Sequence, residues 1–435
     1  MSDKAMSLRK LYTLLLYLLA PLVILRLAWR SIRAPDYRRR WPERFGSIEP
    51  ALGERVIWIH AVSVGEVHAA EPVVRALLEQ HPDYSVLVTT VTPTGSARAT
   101  ALFGDVVAHV YAPYDLPGAV SRFLERVRPQ LAIVMETELW PNLFHACQRR
   151  GVPLLLVNAR LSERSETGYL RVRGLATQTL SAVTEIAAQT ELDAGRFRRI
   201  GADEDSISVT GNLKFEQRVP PSLLERAEVL RRDWGVGRTV WVAGSTHEGE
   251  DEILLDVFRR LRERFSDSLL VLVPRHPERF ESVAELCRAR HYKTLLRSEG
   301  VPCTPATEVF VGDTMGELPL FYAASDVAFV GGSLVRHGGH NLLEPAALGV
   351  PVVTGPHVFN FVEICELLLQ AGACVKVEDV AGLSETVSLW LEDANERHRV
   401  GQRGREVVEK NRGALQSVMA MIDRHLQERT VSAIS

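Results

Sequence analysis

Residues 327–356 read VAFVGGSLVRHGGHNLLEPAALGVPVVTGP, and this stretch decides the fold. Its apolar runs, VAFV and VPVVTG, are typical of buried strands. Between them lie a glycine-rich loop and a segment that resembles the start of a helix. Glycines let a backbone approach a phosphate closely, and a helix N-terminus offers amide donors to an anion. The stretch therefore predicts a strand, a phosphate-binding loop, a helix and a second strand; an ordinary loop with a capped helix is the alternative.

The same alternation of apolar runs and amphipathic segments extends from Val56 almost to the C-terminus. It predicts parallel sheets covered by helices on both faces, with the helix of the first unit over residues 66–80. The predicted strands are VIWIHAV, YSVLVTTV, LAIVME, PLLLVNA, TEIAAQ, ISVTG, TVWVAGS, SLLVLVP, VAFVGGS and VPVVTG. Because ligands of such sheets bind at the carboxyl ends of the strands, we expect two Rossmann-like, doubly wound domains that face a cleft.

Changes in composition give the domain boundaries. The chain becomes polar and irregular after Gly211, through Arg218, Pro220 and Pro221, which predicts a hinge. We expect a membrane anchor over residues 1–33 and a first Rossmann-like domain over 34–218. A second Rossmann-like domain over 219–405 and a C-terminal helix over 406–435, returning to the first domain, complete the prediction.

The segment from Leu11 to Leu25 is the candidate for membrane attachment. It is apolar, short for a membrane span and flanked by arginines, so it predicts either a tilted span or a helix in the membrane interface. A buried core helix is the alternative. The heavier arginine content after it, including Arg38, Arg39 and Arg40, predicts a cytoplasmic body. The five scattered cysteines favour reduced thiols in the same compartment.

Charged residues follow several predicted strands of the first half. Glu66 opens a helix after VIWIHAV, where a carboxylate suits a general base; support of the helix dipole is the alternative. Glu136 and Glu138 follow LAIVM and could orient an acceptor or stabilise positive charge, although Glu138 could equally cap a helix. Lys214 closes this half, where a cation could meet an acidic sugar or a phosphate.

The second half adds cations and polar groups at its own strand ends. Arg275 could grip a phosphate with two nitrogens, and His276 could contact the same ligand; both could also be ordinary surface residues. Glu344 could accept hydrogen bonds from ribose hydroxyls. Asp203 and Asp205 predict a connecting turn. The cluster Glu248, Glu250, Asp251 and Glu252 predicts a solvated helix start. The sequence thus predicts no catalytic metal and no cofactor.

Six motifs in order, SVGEV, ETELWPN, GNLKFE, PRHPERF, MGEL and GGHNLLEPAALGVPVVTGP, together resemble the 3-deoxy-D-manno-octulosonic acid (Kdo) transferases of lipopolysaccharide synthesis, which have the GT-B fold. The resemblance implies inverting, metal-independent transfer from CMP-Kdo to a lipid A precursor, lipid IVA. It implies Glu66 as the general base, with Lys214 and either Glu136 or Glu138 assisting. It also implies that CMP is held by Arg275, His276, Met315, Gly316, Glu317, Asn341, Leu342, Leu343 and Glu344.

The basic segment from Arg26 to Arg44 is predicted to attract the phosphorylated lipid and the anionic membrane; no nucleic-acid partner is expected. The main alternative is another GT-B enzyme that uses a UDP-sugar, or a sugar-nucleotide epimerase. A non-catalytic membrane adaptor is the alternative of another class. The number of Kdo residues added, the acyl pattern of the acceptor and the oligomeric state stay open.

Overall fold

The structure, a computed structural model, describes residues 2–33, 40–49, 52–216 and 219–434. These residues divide into two compact units, one formed by Met1–Glu216 with Arg412–Ser435 and the other by Gln217–Asn411. The predicted hinge residue Arg218 lies outside the described residues, as do Arg38 and Arg39.

The first unit contains a seven-stranded parallel sheet in the order β3-β2-β1-β4-β5-β6-β7. This order is that of a Rossmann-like, doubly wound sheet, as predicted. Its strands are β1 Val56–His60, β2 Ser85–Thr90, β3 Ala108–Tyr111, β4 Leu131–Met135, β5 Leu154–Ala159, β6 Glu185–Ala188 and β7 Ile207–Val209. The sequence did not predict β3, because His109 interrupts its short apolar pattern.

Helices cover both faces of this sheet, because neighbouring strand residues point to opposite faces. Ile57 and Ile59 pack in one hydrophobic cluster, whereas Trp58 packs in the other. The helices before and between the strands are α1 Ser2–Arg33, α2 Trp41–Arg44, α3 Val64–Gln80, α4 Pro93–Phe103, α5 Pro117–Val127, α6 Pro141–Arg149, α7 Glu163–Arg171, α8 Arg173–Leu180 and α9 Glu191–Ile200.

The second unit repeats the architecture, with a parallel sheet in the order β10-β11-β9-β8-β12-β13-β14. Its strands are β8 Val240–Thr246, β9 Leu269–Pro274, β10 Thr294–Leu296, β11 Val309–Val311, β12 Val327–Val330, β13 Val352–Thr354 and β14 Cys374–Lys376. Its helices are α10 Pro221–Trp234, α11 Glu250–Arg262, α12 Phe280–Ala289, α13 Leu318–Ala323, α14 Leu343–Ala347, α15 Val362–Gln370, α16 Val380–Glu392 and α17 Ala394–Lys410. The sequence missed three of these strands, each three residues long.

The helical stretch predicted from Glu406 to Gln427 is two helices. The first, α17, belongs to the second unit, and Gly413, with φ at 109°, precedes α18 Ala414–Ile434. The Glu216 carboxylate accepts hydrogen bonds from the amides of Gly413 and Leu415, which caps the start of α18. Apolar residues of α18 such as Val418 pack in the first unit's core.

Helix α1 contacts the first unit through its N-terminal half. Tyr12 donates a hydrogen bond to Asp115 at 3.0 Å, and Arg9 and Thr13 both donate to the side-chain oxygen of Asn142. The leucines at positions 11, 14, 15, 18, 19, 22 and 25 of α1 are exposed. In the described part of the chain, no helix has both the length and the apolar character that crossing a membrane requires.

Two arginines of the predicted basic segment make internal contacts. Arg44 is only 2% exposed, and its guanidinium lies 4.1 Å from the centre of the Tyr111 ring. Arg40 donates to the Glu43 carboxylate and to the backbone oxygen of His109. Arg44 therefore packs between α2 and β3 and has almost no surface for direct contact with a lipid. Electrostatic attraction of the membrane by the basic segment stays a prediction.

Candidate functional sites

Glu66 lies in the first turn of α3, directly after β1. Its carboxylate accepts hydrogen bonds from the Val62 amide at 2.8 Å and from the Ser63 hydroxyl at 2.9 Å. The Ser63 hydroxyl in turn accepts from the Glu66 amide, so Ser63 caps the helix. Glu66 therefore does support the helix start, as the alternative reading proposed. Those contacts also hold its carboxylate in one position at the end of the strand.

Burial gives this carboxylate an unusual affinity for protons. Glu66 is 7% exposed, and loss of hydration is the main cause that raises its pKa to about 8. The negative charges of Glu138 and Glu136 raise the pKa further, while the hydrogen bonds from Val62 and Ser63 lower it. A carboxylate with a pKa near neutrality is a better proton acceptor than an ordinary surface glutamate.

The other three predicted catalytic residues lie in the same region of the first unit. Lys214 Nζ is 3.4 Å from Glu136 Oε1, and the Trp140 indole donates to Glu138 Oε2 at 2.7 Å. Glu136 has a φ of 55°, a left-handed conformation that is uncommon for a residue with a Cβ. Burial and then the charge of Glu136 act to raise the pKa of Glu138. Three carboxylates and one cation are thus brought together.

Asp115, which the sequence analysis did not select, caps the helix that follows this loop. Its carboxylate accepts the amides of Asn142 and Leu143, at 3.1 and 2.7 Å, at the start of α6. The capping role considered for Glu138 is therefore wrong. The sequence carries no local signal for Asp115, because it lies 27 residues before Asn142, the first residue whose amide it accepts.

Asn158 is a second residue that the sequence analysis missed. It is fully buried in β5 with a φ of 55°, and its side-chain oxygen accepts the Leu213 amide at 3.0 Å. Gln189 donates to the Asn158 backbone oxygen and accepts from Asn212, whose side chain caps the turn that carries Lys214. This chain of amides fixes the position of Lys214. A polar residue inside the apolar run PLLLVNA was the available signal.

Four histidines gather at the carboxyl ends of β9, β8 and β12, three neighbouring strands of the second unit. The Nε2 atoms of His247 and His340 are 2.8 Å apart, within hydrogen-bond distance. The His337 ring stacks on His247 with ring centres 4.0 Å apart, and the His276 ring meets it edge-on at 5.3 Å. Of the four, the sequence analysis assigned a role only to His276, which is exposed beside the half-buried Arg275.

The predicted donor-binding residues after β11 differ in their surroundings. Met315 is 61% exposed, and Gly316 has a φ of 82° with open space where a Cβ would be. Glu317 pairs with Arg297 at 2.9 Å and with Arg226 at 3.3 Å. The hydrogen bond from Arg297 is the main cause that holds the pKa of Glu317 below its ordinary value. Glu317 therefore also ties together the loops around it.

The segment of residues 341–344 is built differently from its prediction. Helix α14 has only five residues, and the Asn341 side chain already accepts the Leu343 amide at 3.1 Å. The Leu343 amide, one of the helix N-terminal amides that were expected to bind an anion, therefore already has an acceptor. Leu342 and Leu343 have buried side chains, at 1% and 0% exposure, so only their backbone could meet a ligand. Asn341 also donates to Glu344 at 3.2 Å.

Glycines in this region serve close backbone packing. A Cβ on Gly331 would lie 2.6 Å from the backbone oxygen of Ser245, so β12 and the end of β8 can approach only because the side chain is missing. A Cβ on Gly355 would meet the backbone of Ser333 at 2.4 Å. The role in phosphate approach predicted for the GGS loop is not needed to explain Gly331.

The sequence predicted that Glu250 and Asp251 belong to a solvated helix start. This prediction is wrong, because the two residues are 0% and 1% exposed. Glu250 Oε1 accepts the amides of Ser333 and Leu334, and Oε2 accepts those of His247 and Gly332, at 2.7 to 3.0 Å. The prediction of a solvated helix start failed because three of these four amides come from a loop more than 80 residues away. Asp251 accepts the Thr246 hydroxyl and pairs with Arg279.

In the residues that the structure describes, no group of three or more histidine, cysteine, aspartate or glutamate side chains has an arrangement that could hold a metal ion. The four histidines of the second unit are included in this finding. Asp203 and Asp205 lie in a turn before β7. The absence of a catalytic metal from the reaction stays a prediction.

Comparison with known proteins identifies the family. Residues 39–217 match the family model described as 3-deoxy-D-manno-octulosonic-acid transferase, and residues 251–407 match the one described as glycosyl transferases group 1. A 3-deoxy-D-manno-octulosonic acid transferase of Haemophilus influenzae is 44% identical over 96% of this chain and 99% of its own length. The chain belongs to the Kdo transferase family. The Bordetella pertussis transferase is 37% identical, over 95% of this chain and 99% of its own length.

Kdo transferase is therefore the activity class of this chain, and the enzyme is a glycosyltransferase. The GT-B-like fold also matches solved structures. The UDP-GlcNAc 2-epimerase of Neisseria meningitidis superposes with a TM-score of 0.56, covering 85% of this chain and 100% of its own, at 14% identity. At that identity the match shows the fold alone, which confirms the prediction of two Rossmann-like sheets.

Proposed function

We propose that this Kdo transferase moves Kdo from CMP-Kdo to lipid IVA with inversion at the anomeric carbon and without a metal, and that Glu66 is the general base. The buried Glu66 carboxylate, with its pKa near 8 and its fixed position, is the observation that carries the proposal. In this reaction the acceptor hydroxyl attacks the anomeric carbon as its proton passes to Glu66, and CMP leaves with the electrons of the broken bond.

The ion pair between Lys214 and Glu136 supplies the next part of the proposal. The transition state of glycosyl transfer has positive charge on the sugar, while Kdo itself carries a carboxylate. We assign Glu136 to the developing positive charge and Lys214 to the Kdo carboxylate. Glu138, bonded to Trp140, is assigned to holding the loop and raising the pKa of Glu66. These roles divide the two glutamates, which the sequence left open.

Donor binding is assigned to the second unit. Arg275 and His276 follow β9; Arg275 supplies positive charge for the CMP phosphate, and the His276 ring supplies a nitrogen for a hydrogen bond. Met315 and Gly316 are open to a ligand, and the pair formed by Asn341 and Glu344 offers polar atoms to the ribose. Glu317 supports this loop through its arginine pairs. CMP-Kdo acts as a co-substrate, so the reaction needs no separate cofactor.

Membrane attachment follows from α1. Its exposed leucines, such as Leu14 and Leu18 at 56% and 65% exposure, give one apolar surface that a lipid monolayer would cover. We propose that α1 holds the enzyme at the cytoplasmic face of the inner membrane, where its lipid acceptor lies. Substituting both leucines with glutamate should reduce binding to anionic vesicles while leaving CMP binding unchanged. Vesicle binding equal to that of the unchanged enzyme would contradict this assignment.

The central experiment measures Kdo transfer from CMP-Kdo to lipid IVA in detergent, with EDTA present. The wild type should form product. The rate of Glu66→Gln should be lower by a factor of about 10²–10⁴, since that is the contribution of a general base. Glu79→Gln is the matched control, because Glu79 is exposed on the same helix. A Glu66→Gln variant with near-normal turnover would refute the base assignment. Loss of wild-type activity in EDTA would refute metal independence.

A further inference from the structure

We propose that the hydrogen-bonded pair His247–His340 binds the phosphate of the nucleotide and takes up one proton when that phosphate arrives. The inference rests on the proposed donor assignment, because CMP is the nucleotide concerned. It adds the two histidines to the donor-binding residues assigned above, and it adds the uptake of one proton on binding. The pair is built from the end of β8 and the loop after β12.

The chemistry of two facing imidazoles permits one extra proton and excludes two. With both rings neutral, one Nε2 donates to the other, and only the accepting ring carries a proton on Nδ1. When one proton is added, the Nε2 to Nε2 bond at 2.8 Å survives and both Nδ1 atoms become donors. A second proton would place two N–H groups against each other. The pair therefore changes from one outward donor to two on single protonation.

The surroundings of the pair favour its neutral form. Burial is the main cause that lowers the pKa of His247 to about 4 and that of His340 to about 3. The charges of His337, His276, Arg275 and Arg279 act in the same direction on His247. The neutral form of these two rings is favoured only while no negatively charged group faces them.

The carboxylates on the helix packed against the pair have other partners. Glu250 accepts four backbone amides, including that of His247, and Asp251 is paired with Arg279. A phosphate dianion placed among two arginines and four imidazoles would therefore supply the negative charge that the cluster needs. Its negative charge would also favour the protonated pair, by the same electrostatics through which the neighbouring positive charges disfavour it. Binding and protonation are thus coupled, and each must strengthen the other.

The test is calorimetric titration of the full-length enzyme with CMP at pH 7.5, in buffers of different ionisation enthalpy, whose heats give the number of protons exchanged. The wild type should take up close to one proton per CMP. Between pH 7 and 8 its Kd should then rise by up to about tenfold, the limit for one linked proton. His340→Gln keeps a polar group near the Nε2 position but cannot titrate, so it should bind CMP with the uptake removed and the pH dependence flattened.

His398→Gln is the matched control, because His398 is exposed in the same unit and should leave the proton uptake unchanged. A wild type that binds CMP without proton uptake would overturn the inference and leave the donor assignment standing, and this result does not depend on the folding of any variant. Equal uptake in the wild type and in His340→Gln would also overturn it. A wild type that binds no CMP would refute the donor assignment, and this inference with it.

Discussion

We expect substitution of Glu250 to lower the free energy of unfolding of the second unit strongly, although its place in the sequence resembles that of a surface glutamate. Each of its two oxygens accepts two buried amides. In Glu250→Gln the amide nitrogen replaces one oxygen, so two buried N–H groups lose their acceptor and face another donor. A buried donor without a partner costs roughly 1–3 kcal/mol, which gives a destabilisation of about 2–6 kcal/mol.

Thermal unfolding measures this effect directly. For a domain of 150–250 residues, 1 kcal/mol lowers the Tm by roughly 2–4 °C, so a loss of about 3 kcal/mol should lower the transition of the second unit by about 6–12 °C. CMP binding should weaken as well, because the same amides hold the loop beside the histidine pair. Glu252→Gln, an exposed change on the same helix, is the control. A Glu250→Gln transition within about 2 °C of the wild type would refute the reasoning.

Three further predictions concern catalysis and packing. The acid limb of kcat/KM should have its midpoint near pH 8, set by Glu66, and Glu138→Gln should move it to lower pH because a neighbouring negative charge is removed. Lys214→Met should lower kcat by about 10²–10³ and leave CMP affinity unchanged, because it removes the cation paired with Glu136. Gly331→Ala should lower both Tm and CMP affinity, since its Cβ would lie 2.6 Å from a backbone oxygen of the neighbouring strand.

A specific result would contradict each of these three predictions. If the midpoint of the acid limb is the same in Glu138→Gln as in the wild type, the carboxylates of Glu66 and Glu138 do not interact. The kcat of the variant distinguishes a shift of this midpoint from a loss of folded enzyme. Lys376→Met, an exposed change, should behave as the wild type, and an equal effect of both lysine changes would remove the assignment of Lys214. Gly168→Ala has open space for its Cβ, so an equal Tm loss at Gly168 and Gly331 would refute the packing argument.

Most of the strands that sequence reasoning found are continuous apolar runs, which a sheet buried on both faces requires at its centre. The edge strand β7, with its exposed Val209, is the exception. The missed strands carry a weaker pattern: β10 has no fully buried residue, β11 has only three residues, and β14 ends in the exposed Lys376. β3 carries His109 within its four residues. Short strands are held by their neighbours in the sheet, which a local pattern does not contain.

The candidate sites divide in the same way. Glu66 and Lys214 were selected because they follow strands, and strand ends meet at one edge of a parallel sheet. Glu250, Asp115 and Asn158 were missed because their partners are far away in the sequence. The four amides of Glu250 include three from a loop 82 to 84 residues further on. Nothing local separates such a glutamate from a solvated one, so its role could be found only from the folded chain.

The two readings of Glu66, helix cap and general base, describe one arrangement. The hydrogen bonds from Val62 and Ser63 fix the carboxylate and lower its pKa, whereas burial and the charges of Glu138 and Glu136 raise it. Without the cap the carboxylate could turn toward solvent, and burial could no longer act on it. Without burial and the neighbouring charges, the hydrogen bonds of the cap would only lower the pKa of Glu66. The cap is therefore the condition under which a buried carboxylate can keep a raised pKa in a fixed position, as a base requires.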